Sequence, residues 1–198
     1  MGLARAPVVG GGILVKPPPA RLAWAIWCLG ALVYLVAFFQ RVAPAVMTDQ
    51  LMAEFAIGGA ALGNLSAFYF YAYRAMQNPP RLPAGPWGPR KLLAAGTAIA
   101  ALGGALFALA PTFELAAAGR LLVGASVGVG FVSMLKLSSH WLEPRRFALV
   151  SGLLLMMGLI GGVIAGVPLR LAVDAFGWRH GMAVFALFTA VLAIALWL

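Results

Sequence analysis

The chain has 198 residues, 63% of them hydrophobic and only 10% charged, with mean hydropathy +0.97 and net charge +9. A water-soluble domain carries about 25% charged residues, so an ordinary soluble core is excluded. A positive balance points to nucleic acid in a soluble protein, but in so apolar a chain it reads as loop cations that set membrane topology.

Residues 1–21 are basic and rich in Gly and Pro, which predicts a disordered cytoplasmic tail. Six apolar runs follow: Leu22–Phe39, Ala60–Gln77, Leu92–Ala110, Leu115–Leu137, Phe147–Leu169 and Trp178–Leu198. A hydrocarbon layer about 30 Å thick takes roughly 20 helical residues to cross. Inside it each backbone amide must be paired within its own segment. The fold class predicted is an all-α membrane protein, with residues 22–198 forming one six-helix transmembrane domain. The first run is too long for a signal peptide's apolar region of about 7–15 residues, so cleavage after Ala43–Ala45 is not expected. Cys28 cannot form an internal disulfide and reads as a small buried hydrophobe. The pairs Gly59/Gly63, Gly124/Gly128 and Gly162/Gly166 predict helix faces where backbones approach closely.

With the N-terminus inside, the inner segments hold Arg5, Lys16, Arg21, Arg81, Arg90, Lys91, Arg145 and Arg146, and the outer ones only Arg170 and Arg179. That bias predicts an inner-membrane protein with both termini cytoplasmic. Residues 79–91 (PPRLPAGPWGPRK) and 168–180 (PLRLAVDAFGWRH) align at an offset of 89, with Pro79/Pro168, Arg81/Arg170, Leu82/Leu171, Gly88/Gly177 and Arg90/Arg179 identical. The two loops are separated by an odd number of crossings and so lie on opposite faces. This is the pattern of two inverted three-helix repeats.

On these residues the chain resembles the N-terminal half of a major facilitator superfamily transporter. The loop after the second run keeps Ala84, Gly88, Arg90 and Lys91 of that family's G-x-L-A-D-R-x-G-R-R/K signature. Arg120, Gly124 and Ser126 are similar to its fourth-helix R-x-x-x-G-x-G/S motif, and Phe39–Val46 looks like the first-helix pattern of organic-anion members. The resemblance implies alternating access, with Gly88, Arg90 and Lys91 in a gate loop, and a second six-helix half or a second copy as partner. Departures stand at Arg81, Pro83 and Gly85, where the family has Gly, Leu and Asp. With prolines at 79, 80, 83 and 86, the altered loop leaves an inactive half-transporter remnant as an alternative.

Four cations fall within the runs or at their edges (Arg41, Arg74, Arg120, Lys136), and no Asp or Glu does. Intramembrane charge is costly and faces the bundle interior or a cavity, and a guanidinium fork matches carboxylate or phosphate. The substrate expected is therefore a small anionic organic solute, bound by Arg41, Arg120 and Lys136 with Gln40, Tyr73 and Gln77 as polar partners. Arg74 sits near the inner end of its helix and reads as snorkelling. Cys28, His140 and His180 lack metal-ligand spacing, and no phosphate-binding loop is present, so no metal, cofactor or nucleic-acid partner is expected. A serine-protease alternative rests on Gly124, Ser126 and Gly128 (G-x-S-x-G) with His180. The motif lacks its strand-to-helix elbow, so no enzyme and no catalytic residue is expected.

Overall fold

The computed structural model describes residues 20–77, 88–141 and 147–198. These form eight α-helices: α1 (Ala20–Val42), α2 (Thr48–Phe55), α3 (Gly59–Met76), α4 (Gly88–Leu109), α5 (Phe113–Trp141), α6 (Phe147–Ile164), α7 (Val167–Phe176) and α8 (Trp178–Trp197). A 3-10 turn over Ala43–Val46 follows α1. Five spans are long and apolar enough to cross a bilayer: Trp24–Val46, Arg90–Leu109, Phe113–Gly130, Ala148–Phe176 and Trp178–Trp197. The sixth passes only when α2 and α3 are taken together across a 110° bend. Its apolar face is interrupted by Asn64, Ser66 and Arg74. Spans 1 to 6 are thus α1, α3, α4, α5, α6 with α7, and α8. The expected tail (1–21, but for its last two residues) and the altered loop residues 78–87 lie outside the described residues.

Two elements differ from the sequence expectation. The segment after span 1 reads as loop, yet it folds as the 3-10 turn and α2. Helix α2 is amphipathic, with Leu51 buried and Asp49 and Glu54 exposed, and its two carboxylates would be costly in hydrocarbon. It ends at Ala56 in the left-handed region (φ 51°). Span 5, expected as one helix ending at Leu169, instead breaks at Ala165–Gly166 and continues to Phe176. Pro168 has no amide hydrogen and crowds the carbonyl of Ile164, so the backbone turns at Gly166 and restarts.

Packing follows the repeat. Helix α1 packs on α6 and α3 on α5, while α4 packs on α8 and α1 touches α5. A shift of 89 residues exchanges the first two contacts and maps each of the other two onto itself. The α4–α8 pair is antiparallel and clasped at both ends. At the start of α4, Arg90 Nε donates to the Leu196 carbonyl at 2.8 Å. At the start of α8, Arg179 donates to the carbonyls of Ala108 (2.9 Å) and Ala110 (2.8 Å). The last carbonyls of a helix have no donor of their own and the helix end is negative, so each repeat-related arginine caps the other repeat's third span. The starts of α4 and α8 consequently lie at opposite ends of the bundle, as inverted three-helix repeats require.

Only some glycine pairs do the work the spacing predicts. A Cβ at Gly124 would strike the backbone of Tyr69, and one at Gly161 the backbone of Leu35, so these two positions set the α3–α5 and α1–α6 approach. Gly128 also sits against α3, beside Met76. In contrast Gly59 and Gly63 face open space, and α1 comes closest at Gly158 and Gly161, meets Gly162 only in ordinary contact through Val42, and does not reach Gly166. Cys28, expected inside, is exposed.

Candidate functional site

Helix α1 stops at Val42, and Pro44 follows in the 3-10 turn. In a continuing helix the amide of residue 44 would bond the carbonyl of residue 40, but proline has none. The Gln40 carbonyl is therefore left without its helical donor. Arg120, two turns into α5, supplies one: its Nη1 donates to the Gln40 carbonyl at 2.6 Å. The guanidinium is only 1% exposed and lies between two rings, 5.1 Å from the Tyr69 centroid and 5.9 Å from that of Phe107. Its Nε and Nη2 have no hydrogen-bond partner. Stacking over rings of this kind contributes about 0.5–2 kcal/mol, which offsets part of the burial.

Arg41 is the adjacent residue and has the opposite setting. It is exposed, and its guanidinium lies 5.1 Å from the Phe70 centroid and 5.8 Å from that of Phe38. Consecutive residues of α1 (Gln40, Arg41) and of α3 (Tyr69, Phe70) thus hold the two arginines at one level, Arg120 turned inward and Arg41 outward. Tyr69 donates its hydroxyl to the Ala37 carbonyl at 3.4 Å and stacks on Tyr73, with ring centroids 6.3 Å apart. Tyr71, two residues along, points away and is 62% exposed.

The other expected site residues are scattered. Gln40 is 1% exposed and its amide Nε2 has no partner, so it turns into the bundle rather than toward the open face of Arg41. Tyr73 is half-buried, and Gln77 is exposed at the C-terminal end of α3. The side chain of Lys136 lies outside the described residues. Of the expected gate-loop residues, Gly88 opens α4, Arg90 caps α8 and Lys91 is exposed. Arg74 is exposed in the last turn of α3. The structure therefore brings together Arg41, Arg120, Gln40 and, through Tyr69, Tyr73. It does not bring Gln77 to them.

Sequence reading missed the rings of Phe38, Phe70 and Phe107. The first was open to detection, because Phe38 stands one helical turn before Arg41. Among the described residues the acids lie toward the ends of the spans: Glu54 pairs with Arg179 at 2.9 Å and Asp174 with Arg170 at 3.0 Å. The Arg179 hydrogen bond holds the Glu54 carboxyl below the ordinary range. No His, Cys, Asp or Glu cluster among the described residues could hold a metal. The Ser126 hydroxyl is spent on the Val123 carbonyl at 2.6 Å, and His180 is exposed in the first turn of α8. Nothing in these positions forms a nucleophile–base pair.

Comparison with known proteins gives a family and two relatives. The family profile described as Major Facilitator Superfamily matches residues 3–198. The chain is 24% identical to the probable sulfoacetate transporter SauU of Cupriavidus necator over 153 residues, covering 77% of this chain and 36% of that protein. It is 23% identical to the uncharacterized transporter YybO of Bacillus subtilis over 179 residues, covering 90% of this chain and 41% of that one. The chain spans about two-fifths of the length of these curated relatives.

Proposed function

Since the chain belongs to the Major Facilitator Superfamily, we propose that it forms the six-helix half of a secondary active transporter that moves a small organic anion by alternating access. The observation that carries this reading is Arg41: an exposed guanidinium within span 1, braced by Phe38 and Phe70, with no carboxylate bound to it among the described residues. Such a group cannot face lipid cheaply, and its fork suits a carboxylate, sulfonate or phosphate. The name of the Cupriavidus relative, a sulfoacetate transporter, gives an anion of this class.

In this reading Arg41 contacts the solute. Arg120 fixes the end of α1 and adds positive potential from behind, with Lys136 as a further cation. The face that carries Arg41, Asn64, Tyr71 and Arg74 is covered by a second six-helix half or a second copy. The protein sits in the inner membrane with both termini cytoplasmic, a reading that the cation bias between segments supports. Vesicles containing a complete transporter with this half should accumulate labelled sulfoacetate. Unlabelled dicarboxylates and sulfonates should compete, and neutral amides of the same size should not. Equal competition by the neutral amides would refute the anion reading.

A further inference from the structure

Arg74 is an exposed cation in the last turn of α3, and glycines on two neighbouring helices fix its depth. A Cβ on Gly128 of α5 would meet the Met76 Cβ at 2.8 Å and the Tyr73 carbonyl at 3.0 Å. One on Gly96 of α4 would meet the Ser126 carbonyl at 3.4 Å and the Val129 side chain at 3.9 Å. Arg74, between Tyr73 and Met76, is therefore level with Gly96. That level is about 9 Å along α4 from Arg90, which marks the end of the bundle by holding the Leu196 carbonyl. A helical side chain leans toward the N-terminus of its own helix, so Arg74 leans further from that end. Snorkelling to the membrane surface does not account for a guanidinium placed in this way.

The same lean carries Arg74 toward Arg41. Phe70 and Arg74 are four residues apart on α3, so their Cβ atoms are neighbours about 5–6 Å apart on one face. The Arg41 guanidinium lies 5.1 Å from the Phe70 centroid. Phe70 is 41% exposed, and Arg41, Arg74 and Gln77 are exposed with it. One cation thus stands at the Phe70 ring and the other a helical turn below, on the same open face. Among the described residues no carboxylate reaches that face. Asp49 and Glu114 lie in the first turns of α2 and α5, and Glu54 and Asp174 pair with Arg179 and Arg170. The position of Arg74 in the other repeat is Val163, so the shared plan of the repeats does not call for a cation there.

The geometry points to Arg74 as a second anion contact, which together with Arg41 selects a short solute carrying two negative groups. This inference rests on the anion reading of Arg41 and adds the number of charges to it. Like charges this close repel, and more strongly the less water surrounds them. A monoanion on Arg41 leaves the second cation unneutralised, whereas a dianion neutralises both. Each guanidinium offers a pair of parallel donors to one acidic group. A separation of about one helical turn, near 5.4 Å, bridged by two long side chains, suits two such groups on one small carbon skeleton. Gln77, three residues beyond Arg74 and exposed, adds a polar group beside the second contact.

The test is solute binding to the full chain in lipid nanodiscs, read from the NMR signals of the arginine side chains. Three probes of one size are compared at equal ionic strength: succinate, its monoamide succinamate and its diamide succinamide. Succinate should move both the Arg41 and the Arg74 signals and bind at least about tenfold more tightly than succinamate, the effect of one added charge-assisted contact. Succinamate should move Arg41, and succinamide should move neither. Arg74→Gln should erase the preference for succinate and leave succinamate binding as it was. Equal affinity for succinate and succinamate, with Arg41 responding to both, would overturn the second contact and leave the anion reading standing. An Arg74 signal that stays still under succinate in the unaltered chain would do the same, whether or not the variant folds. An Arg41 signal that ignores all three probes, or answers succinamide equally, would overturn the anion reading and this inference with it.

Discussion

The two three-helix repeats share a plan but not a chemistry, and their differences separate scaffold from function. At Arg90 and Arg179 both repeats keep arginine, and both side chains do the same job of capping the opposite repeat's third span. Elsewhere a cation stands in one copy alone. Arg41 corresponds to Gly130, Arg120 to Ala31, and Arg74 to Val163, which is 70% exposed on the apolar surface. A residue required by the fold is required twice. A cation present in one copy answers a local need: a proline-orphaned carbonyl for Arg120 and, on our reading, a solute for Arg41.

The largest expected effect tests the scaffold side. Gly124→Val and Gly161→Val each push a side chain into a neighbouring helix backbone, and overpacking of this kind costs about 1–3 kcal/mol or more. Both should abolish a cooperative thermal transition in detergent. Gly63→Val, whose Cβ would meet open space, should melt within a few degrees of the parent. If all three behave alike, the packing asymmetry between the glycine pairs is wrong.

A smaller effect tests the Arg120 side. Arg120→Leu leaves the Gln40 carbonyl buried without a donor, at about 1–3 kcal/mol. Pro44→Ala restores an amide at the helical position and should recover part of that loss, so the double variant should be more stable than Arg120→Leu alone. Strict additivity in a double-mutant cycle would show that proline and arginine are not coupled.

The smallest effects compare the two caps. Arg179→Gln should cost more stability than Arg90→Gln, because among the described residues Arg179 holds two carbonyls and Glu54 whereas Arg90 holds one carbonyl. Only the Arg179 end should respond to acid. The Glu54 carboxyl titrates below its unfolded value, so its contribution is present above the ordinary carboxylate range and is lost as pH falls through the folded value. Melting between pH about 6 and about 3 should fall more steeply in the parent than in Glu54→Gln. Parallel curves would remove the Glu54 link.

The spans and the repeat were legible in the sequence because run length and an offset of 89 survive any rearrangement of side chains. The break in span 5 was legible in principle: Gly166 and Pro168 are the residues that interrupt a helix, but the apolar run continues through them and masks the stop. Helix α2 was hidden by its brevity, since Leu51 is its only buried residue. The site was half legible. Residue type identified Arg41 and Arg120, yet not that one is open and the other enclosed. That depends on the four-residue spacing of Gln40 and Pro44, and on which rings of α3 and α4 come alongside. Gln40, read as a substrate contact, is enclosed: its side chain leaves α1 toward α4 and α8, and its amide nitrogen lies within 3.0 Å of where a Cβ on Gly104 would sit.

The central claim is that Arg41 receives an anion. Its direct test is uptake of a labelled organic anion by a complete transporter carrying this half, with Arg41→Ala and Arg41→Lys compared at equal membrane abundance. Uptake should fall at least about tenfold in Arg41→Ala, the effect of losing about 1.4 kcal/mol of charge-assisted binding, and partly recover in Arg41→Lys. Uptake by Arg41→Ala equal to that of the parent would contradict the account.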